Sequence, residues 1–189
     1  TGERLYQAHQ GCEDCALSVA SPERLPRPVQ VAQTQVVTPA VAYQMLEMLR
    51  GVVQRGTGMR ALAVGRPAAG KTGTTNDYKD AWFVGFTPEL VTGVWVGFDQ
   101  PTSLGYAEAG GRAALPIWTD FMQAAVKNLP RREFEVPAGL SFVTIDADTG
   151  ELPGPATQRT LVEVFPTGQE PTQTRQSTGW SDAPGPQFE

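Results

Sequence analysis

Residues 64–86 read VGRPAAGKTGTTNDYKDAWFVGF, and this stretch decides how the middle of the chain folds. Two patterns overlap in it. Residues 65–72 satisfy G-x-x-x-x-G-K-[ST], the loop that binds phosphates in nucleotide hydrolases. Residues 71–75 read KTGTT, a K-T-G element that would place its lysine on a strand. Lys71 can serve only one of these structures, so the question is whether a helix or a strand contains it.

The sequence after Lys71 does not favour a phosphate-binding loop. In such a loop a helix begins at the lysine, and its free N–H groups point at the phosphates. Residues 72–77 read TGTTND, and β-branched residues, a glycine and an Asx pair make a poor first helical turn. The next regular segment, DAWFVGF at 80–86, is typical of a strand. We therefore expect Lys71 to lie on a strand, with nucleotide binding as the weaker alternative.

A strand at residues 71–75 creates a site for an anion. Side chains two residues apart on a strand project from the same face, so the hydroxyls of Thr72 and Thr74 would lie about 6–7 Å apart and could hold one carboxylate. Gly73 faces the other way and leaves room for a close helix, and Lys71 adds a positive charge at the mouth of the site. If the strand is a sheet edge, the Thr74 N–H could stabilise an oxyanion.

A helix is predicted before this segment. Thr38 can cap its N-terminus, Pro39 suits the first helical position, and the Gly-Thr-Gly at 56–58 ends it. Apolar side chains repeat at intervals of three and four, which predicts that they face the core: Val41, Met45, Met48, Leu49 and Val52. The polar side chains of the same helix are predicted to face away: Gln44, Glu47, Arg50 and Gln54.

An antiparallel hairpin and a second helix are predicted after it. Residues 80–86 and 90–98 are short, rich in β-branched and aromatic residues, and joined by Thr-Pro-Glu. Both faces of this hairpin are apolar, which predicts a sheet covered on both sides. Residues 115–130 form an amphipathic segment bounded by prolines, and residues 140–154 read as a strand followed by a D-x-D-T-G turn.

Composition limits the possible functions. The 189 residues carry a net charge of −5 and only three lysines, without a basic stripe, so nucleic-acid binding is not expected. No apolar run has the roughly 18 residues of a membrane helix. The first residue is not Met, which favours a fragment of a longer protein. We divide the chain into a short strand plus an insertion at 1–35, a main domain at 36–165 and a Pro/Gly-rich tail, expected to be disordered, at 166–189.

The motif and its surroundings resemble a known family. The stretch from Arg55 to Pro101, followed by GGRAALPIWTDFM and GQEPT in the same order, looks like the transpeptidase domain of class A, bifunctional penicillin-binding proteins. The resemblance implies the α+β fold shared with serine β-lactamases, an antiparallel sheet with helices on both faces, of which this chain would be the C-terminal portion. It implies D-Ala-D-Ala transpeptidation of peptidoglycan stem peptides, covalent binding of β-lactams and no cofactor.

The same resemblance implies roles for five consecutive residues. Lys71 matches the K-T-G lysine, which neighbours the serine of the family's S-x-N element and helps bind the substrate carboxylate. Thr72 and Thr74 would donate hydroxyl hydrogen bonds to that carboxylate, and the Thr74 N–H would complete half of the oxyanion hole. Gly73 and Thr75 complete the substrate-binding strand. Asn76, Asp77 and Asp80 are expected to make the turn between strands.

Two motifs of the family are missing. The nucleophile of the family lies in S-x-x-K and is followed by S-x-N, but none of the six serines has lysine three residues on or asparagine two residues on. Both motifs precede K-T-G in the family, so we expect them upstream of Thr1, together with the glycosyltransferase domain and the membrane anchor at the periplasmic face of the inner membrane. This chain alone is predicted to be inactive and to expose apolar surface. The rival hypothesis is a non-catalytic binding or scaffold module with this fold.

Two cysteines lie in the predicted insertion. Cys12 and Cys15 form C-x-x-C, and His9 is the only histidine of the chain. A local set of three ligands is one short of a structural zinc site, so no metal site is predicted. An oxidising periplasm, which the family resemblance implies, favours a disulfide between Cys12 and Cys15. Free thiols and a zinc ion shared between subunits remain as alternatives.

Overall fold

A computed structural model describes residues 35–176. The chain divides at Thr38 into two compact units, and of the first only residues 35–38, which lie outside helices and strands, are described. Residues 39–176 of the second unit contain two helices and five strands: α1 Pro39–Arg55, β1 Ala69–Thr74, β2 Asp80–Phe86, β3 Val91–Gly97, α2 Ala114–Ala125, β4 Leu140–Asp146 and β5 Thr160–Pro166. Short 3₁₀ helices occupy Met59–Val64 and Asn76–Tyr78. The predicted strand at 3–7 and the C-x-x-C segment lie outside the described residues.

The strands form two antiparallel sheets, one in the order β1-β2-β3 and one of β4 and β5. Lys71 lies in the middle of β1, opposite Val84 of β2, so the strand prediction is confirmed. The nucleotide-binding alternative is wrong, because no helix begins at Lys71 to supply the N–H groups that would bind a phosphate. The predicted hairpin is also confirmed as β2 and β3.

One face of the three-stranded sheet carries the core. Phe83 of β2 is fully buried and makes an edge-to-face contact with Trp118 of α2, with ring centroids 5.0 Å apart. The Trp118 indole N–H donates to the Thr92 carbonyl of β3 at 3.0 Å, which satisfies its polar atom inside the core. Leu115 and Met122 of α2 and Val53 of α1 belong to the same cluster. Both helices therefore pack on the Phe83 face.

The prediction of which residues of α1 face the core was wrong for three of the five, since only Leu49 and Val52 are half-buried. Val41, Met45 and Met48, expected in the core, are exposed, with 60% of Met48 accessible. The buried positions are Tyr43, Gly51 and Val53. The hairpin of β4 and β5 decides this orientation, because it packs on α1. The Tyr43 ring meets Phe142 edge to face at 6.3 Å, Gln44 donates to the Val164 carbonyl, and Arg55 pairs with Glu163 at 2.7 Å.

The other face of the three-stranded sheet is exposed among the described residues. We call this the open face and define it by Trp82 and Val84 of β2 and Trp95 of β3, which are 44–46% accessible. Trp82 and Trp95 lie side by side with ring centroids 6.4 Å apart. The α+β fold with antiparallel sheets is confirmed, whereas the helices within residues 39–176 cover one face only. Those helices are too short or too polar to span a membrane.

An ion pair between Asp146, which is buried, and Arg175 stabilises the second sheet. Asp146, at the end of β4, is fully buried and accepts hydrogen bonds from Arg175 at 2.9 Å and from the backbone N–H groups of Asp148 and Thr149. Leu152 and Thr174 form a parallel bridge beside it. The tail was predicted to begin at 166, but Thr174 and Arg175, which lie within it, make these contacts with the second sheet. The rest of that predicted tail lies outside the described residues.

This ion pair predicts acid sensitivity. Burial alone would raise the pKa of Asp146, but the hydrogen bonds from Arg175 and the turn amides lower it far below its ordinary value. A lowered pKa contributes stability that is complete above the unfolded-state value and is lost as the pH falls below about 4. Asp146→Asn should therefore lower the thermal unfolding midpoint at neutral pH and weaken its dependence on pH in acid. Asp148→Asn, in the same turn but half exposed, is the matched control and should change both far less.

Candidate functional site

β1 is an edge of its sheet within the described residues, since it pairs with β2 alone. The Thr75 N–H donates to the Asp80 carbonyl at 3.1 Å, which makes Thr75 a position whose amide points at β2. Bonded and non-bonded positions alternate along an antiparallel pair. The N–H groups of Thr74 and Thr72 therefore point away from β2, toward the edge. An amide at such an edge can donate to a ligand.

The hydroxyls of Thr72 and Thr74 project from one face of β1, as the spacing predicts, and each has a partner from elsewhere in the chain. The Thr72 hydroxyl lies 2.9 Å from the hydroxyl of Thr57. The Thr74 oxygen accepts the backbone N–H of Gly110 at 3.0 Å. A hydroxyl carries one proton and two lone pairs, so Thr74 keeps its own proton for a ligand.

Lys71 lies on the opposite face of β1 from the two threonines. Its side chain is exposed, and its ammonium donates to the Thr72 carbonyl at 2.9 Å. It shares this face with Gly73 and with Val84 of the open face. The charge therefore stands between the open face and the edge of β1. A positive charge at this place favours an anion at the edge.

Thr75 follows β1 and makes both backbone and side-chain hydrogen bonds across the turn to Asp80. Its hydroxyl donates to the Asp80 carboxylate at 3.1 Å and accepts the Asp80 N–H at 2.8 Å. The second oxygen of Asp80 accepts the indole N–H of Trp95 at 2.9 Å. Asp77 and Tyr78 complete the turn with positive φ angles of 61° and 53°. Asn76 and Asp77 therefore lie in the turn as predicted, whereas Asp80 is the first residue of β2, where its carboxylate links Thr75 to Trp95 of β3.

Two residues at the edge of β1 were missed in the sequence. Thr57 follows α1, and Gly110 precedes α2, so neither is near the K-T-G element in the chain. A side chain on Gly110 would collide with the backbone of β1 and β2, and this close approach lets its amide reach Thr74. The only sequence signals were the Gly-Thr-Gly at 56–58 and the Gly-Gly at 110–111.

The edge of β1 can hold a carboxylate. It combines two hydroxyls, an outward N–H and an ammonium, all of them donors, and an ionised carboxylate only accepts hydrogen bonds. Within residues 35–176 no group of three or more His, Cys, Asp or Glu side chains could hold a metal ion. Cys12 and Cys15, the predicted disulfide, lie outside these residues.

Two family models match the chain. The penicillin binding protein transpeptidase domain matches residues 17–123, and the C-terminal domain of penicillin-binding protein 1A matches residues 136–177. The first match covers more than half of the chain and contains α1, the three-stranded sheet and most of α2. The second contains β4, β5 and the Asp146–Arg175 pair, so the two sheets correspond to two family domains rather than to one.

Curated relatives and a solved structure agree with these matches. Penicillin-binding protein 1A of Pseudomonas aeruginosa is 48% identical over 132 residues, which are 69% of this chain and 16% of that protein. The protein of the same name from Aquifex aeolicus is 52% identical over 53% of this chain and 14% of its own length. This chain thus spans about a sixth of the length of these relatives.

The crystal structure of penicillin-binding protein 1A from Haemophilus influenzae superposes with a TM-score of 0.65 at 35% identity, covering 74% of this chain and 22% of that one. The fold, the order of the motifs and both family models therefore agree with one another. The chain belongs to the penicillin-binding protein transpeptidase family, as a C-terminal portion of the class A type.

Proposed function

We propose that this chain supplies one wall of a D-Ala-D-Ala transpeptidase, the wall that binds the substrate carboxylate and half of the oxyanion. The observation that supports it is the arrangement at the edge of β1. Within residues 35–176 no second strand pairs with this edge, so the Thr74 N–H and the hydroxyls of Thr72 and Thr74 can face a ligand there. In a transpeptidase the substrate lies along such an edge. The scaffold hypothesis gives these donors no ligand.

In the proposed complex, the terminal carboxylate of a peptidoglycan stem peptide accepts hydrogen bonds from Thr72 and Thr74, and Lys71 is the catalytic residue of this chain. The Lys71 charge stabilises the same carboxylate and a neighbouring serine of the longer protein. The scissile carbonyl oxygen accepts the Thr74 N–H and becomes negative as a serine hydroxyl adds to it. Gly73 and Thr75 complete the strand along which the peptide lies.

The nucleophile belongs to another part of the protein. We propose that the chain is part of a longer polypeptide whose upstream portion carries S-x-x-K and S-x-N, covers the open face and leads to a membrane anchor, with the domain in the periplasm. The serine oxygen bonds to the carbonyl carbon, the C–N bond breaks, and the proton goes to the leaving nitrogen. A β-lactam ring opens in the same way and leaves an acyl-serine. Nucleic acid is not proposed as a partner, and no cofactor is required.

Intact mass after incubation with benzylpenicillin tests this proposal. The longer protein should gain one penicilloyl adduct on an upstream serine, and this chain alone should gain none. Lys71→Ala should slow acylation at least about a hundredfold, since it removes a charge aimed at the reacting groups. Lys79→Ala removes a half-exposed lysine that pairs with Asp77 and is the matched control. A folded longer protein without any adduct would favour the scaffold hypothesis, and an adduct on this chain alone would place a nucleophile here.

A further inference from the structure

Thr57 lies beside the carboxylate-binding strand although it is 15 residues earlier in the chain. The N–H groups of Gly56 and Gly58 both donate to the Val52 carbonyl, at 3.1 and 2.9 Å, and so fix the loop that carries Thr57 at the end of α1. A Cβ on Gly111 would lie 3.1 Å from the Thr57 carbonyl oxygen, so the segment before α2 borders the other side of Thr57. Its position is therefore set by two elements.

Only one of two hydroxyls that share a hydrogen bond can donate in it. Between Thr57 and Thr72, whose oxygens are 2.9 Å apart, either can be the donor when no ligand is present. A carboxylate accepts and cannot donate, so its arrival requires Thr72 to donate outward. Thr57 must then donate to Thr72. This chain of two hydrogen bonds polarises the Thr72 hydroxyl and strengthens its bond to the carboxylate.

Thr74 is oriented in the same way by a different donor. Its oxygen accepts the Gly110 N–H at 3.0 Å, which leaves its proton for the ligand. We propose that Thr57 is a positioning residue for transpeptidation. It donates a hydrogen bond to the Thr72 hydroxyl, as the Gly110 amide donates one to the Thr74 hydroxyl. Each carboxylate-binding hydroxyl is thereby supported by one fixed donor. This inference rests on the function proposed above and adds a residue to it.

The test compares Thr57→Val and Thr57→Ser in the longer protein. Thr57 is exposed and its φ is not positive, so either side chain fits the backbone. The readout is the ratio of acylation rate constants for benzylpenicillin and its methyl ester, which lacks the anionic carboxylate. Thr57→Val should lower this ratio by up to about tenfold, the upper value of a hydrogen bond between neutral groups, and Thr57→Ser should keep it. A structural role would slow both compounds equally and leave the ratio unchanged.

A double variant separates positioning from direct contact. If Thr57 acts through Thr72, adding Thr57→Val to Thr72→Val should cause no further loss in the ratio. Additive losses would mean that Thr57 binds the carboxylate itself and would overturn the inference. An unchanged ratio in Thr57→Val would overturn it as well, with the proposed function intact if the unaltered protein is acylated. No adduct on the unaltered protein would overturn the proposed function and this inference with it.

Discussion

Replacing Arg66 with methionine should make the amide protons of α2 exchange with solvent about a hundred times faster in the longer protein. Arg66 lies in the loop before β1 and donates to three carbonyls in the segment that directly follows α2, those of Val126, Leu129 and Pro130. Its side chain is 11% accessible and lies 3.6 Å from the Glu89 carboxylate, which is 6% accessible. One buried cation thus holds the turn between β2 and β3 to the segment that follows α2.

The large effect of Arg66→Met is expected because the Glu89 carboxylate would remain buried without its cation. Burial alone would raise the pKa of Glu89, but contacts with Thr87, the Arg132 amide and Arg66 lower it, so the carboxylate stays charged. Its second oxygen is buried and has no hydrogen-bond partner among the described residues. Breaking such a pair costs about 3–5 kcal/mol, because one charge is left buried alone, and about 3 kcal/mol corresponds to the hundredfold faster opening.

Two variants make this prediction specific. Arg131→Met removes an exposed arginine whose pair with Glu133 is 3.9 Å long, and it should leave the exchange of α2 nearly unchanged. Arg66→Met combined with Glu89→Leu removes both charges and should restore much of the protection, since an apolar pair replaces an ionic one. Exchange in Arg66→Met as slow as in the unaltered protein would contradict the assignment of this pair as a structural clamp.

Local pattern predicted β1, β2, β3 and β4, because each of them depends on neighbouring residues, but it did not predict β5. The run of β-branched and aromatic residues in β2 and β3, and the poor helical turn after Lys71, act within a few positions and gave the correct elements. The same reasoning wrongly placed Val41, Met45 and Met48 of α1 in the core. That helix has apolar residues on two sides, and Gln44 and Arg55 contact β5, more than a hundred residues later, which no local period can indicate.

The candidate site was predictable in part for the same reason. The spacing of Thr72 and Thr74 is a local property of a strand, whereas their partners, Thr57 and Gly110, come from separate segments. Whether β1 is a sheet edge depends on the order of the strands. That order could not be predicted from the sequence, so the role of the Thr74 N–H was predicted only for the case of an edge strand. The open face was predicted to be covered, because its apolar residues indicate a partner without saying where in the polypeptide that partner lies.

Gly110→Ala should slow β-lactam acylation of the longer protein at least about a hundredfold, which is the cost of displacing a reacting group by about 1 Å. An alanine Cβ at this position would overlap the carbonyl oxygen of Trp82 and lie 2.5 Å from that of Gly73. Both obstacles are backbone atoms of paired strands, so no side-chain rotation can relieve them. The segment before α2 must move away from β1, and its amide then no longer reaches Thr74.

Gly93, in β3 of the sheet that Gly110 approaches, shows whether the close approach is the cause. In Gly93→Ala the new Cβ would meet only Val84 at 3.7 Å, an ordinary van der Waals contact, so acylation should stay within about twofold. The ratio of benzylpenicillin to methyl ester should fall in Gly110→Ala, because the Thr74 hydroxyl loses the donor that fixes it. Acylation of Gly110→Ala at the unaltered rate would mean that Thr74 needs no such donor, and the carboxylate would then depend on Thr72 and Lys71 alone.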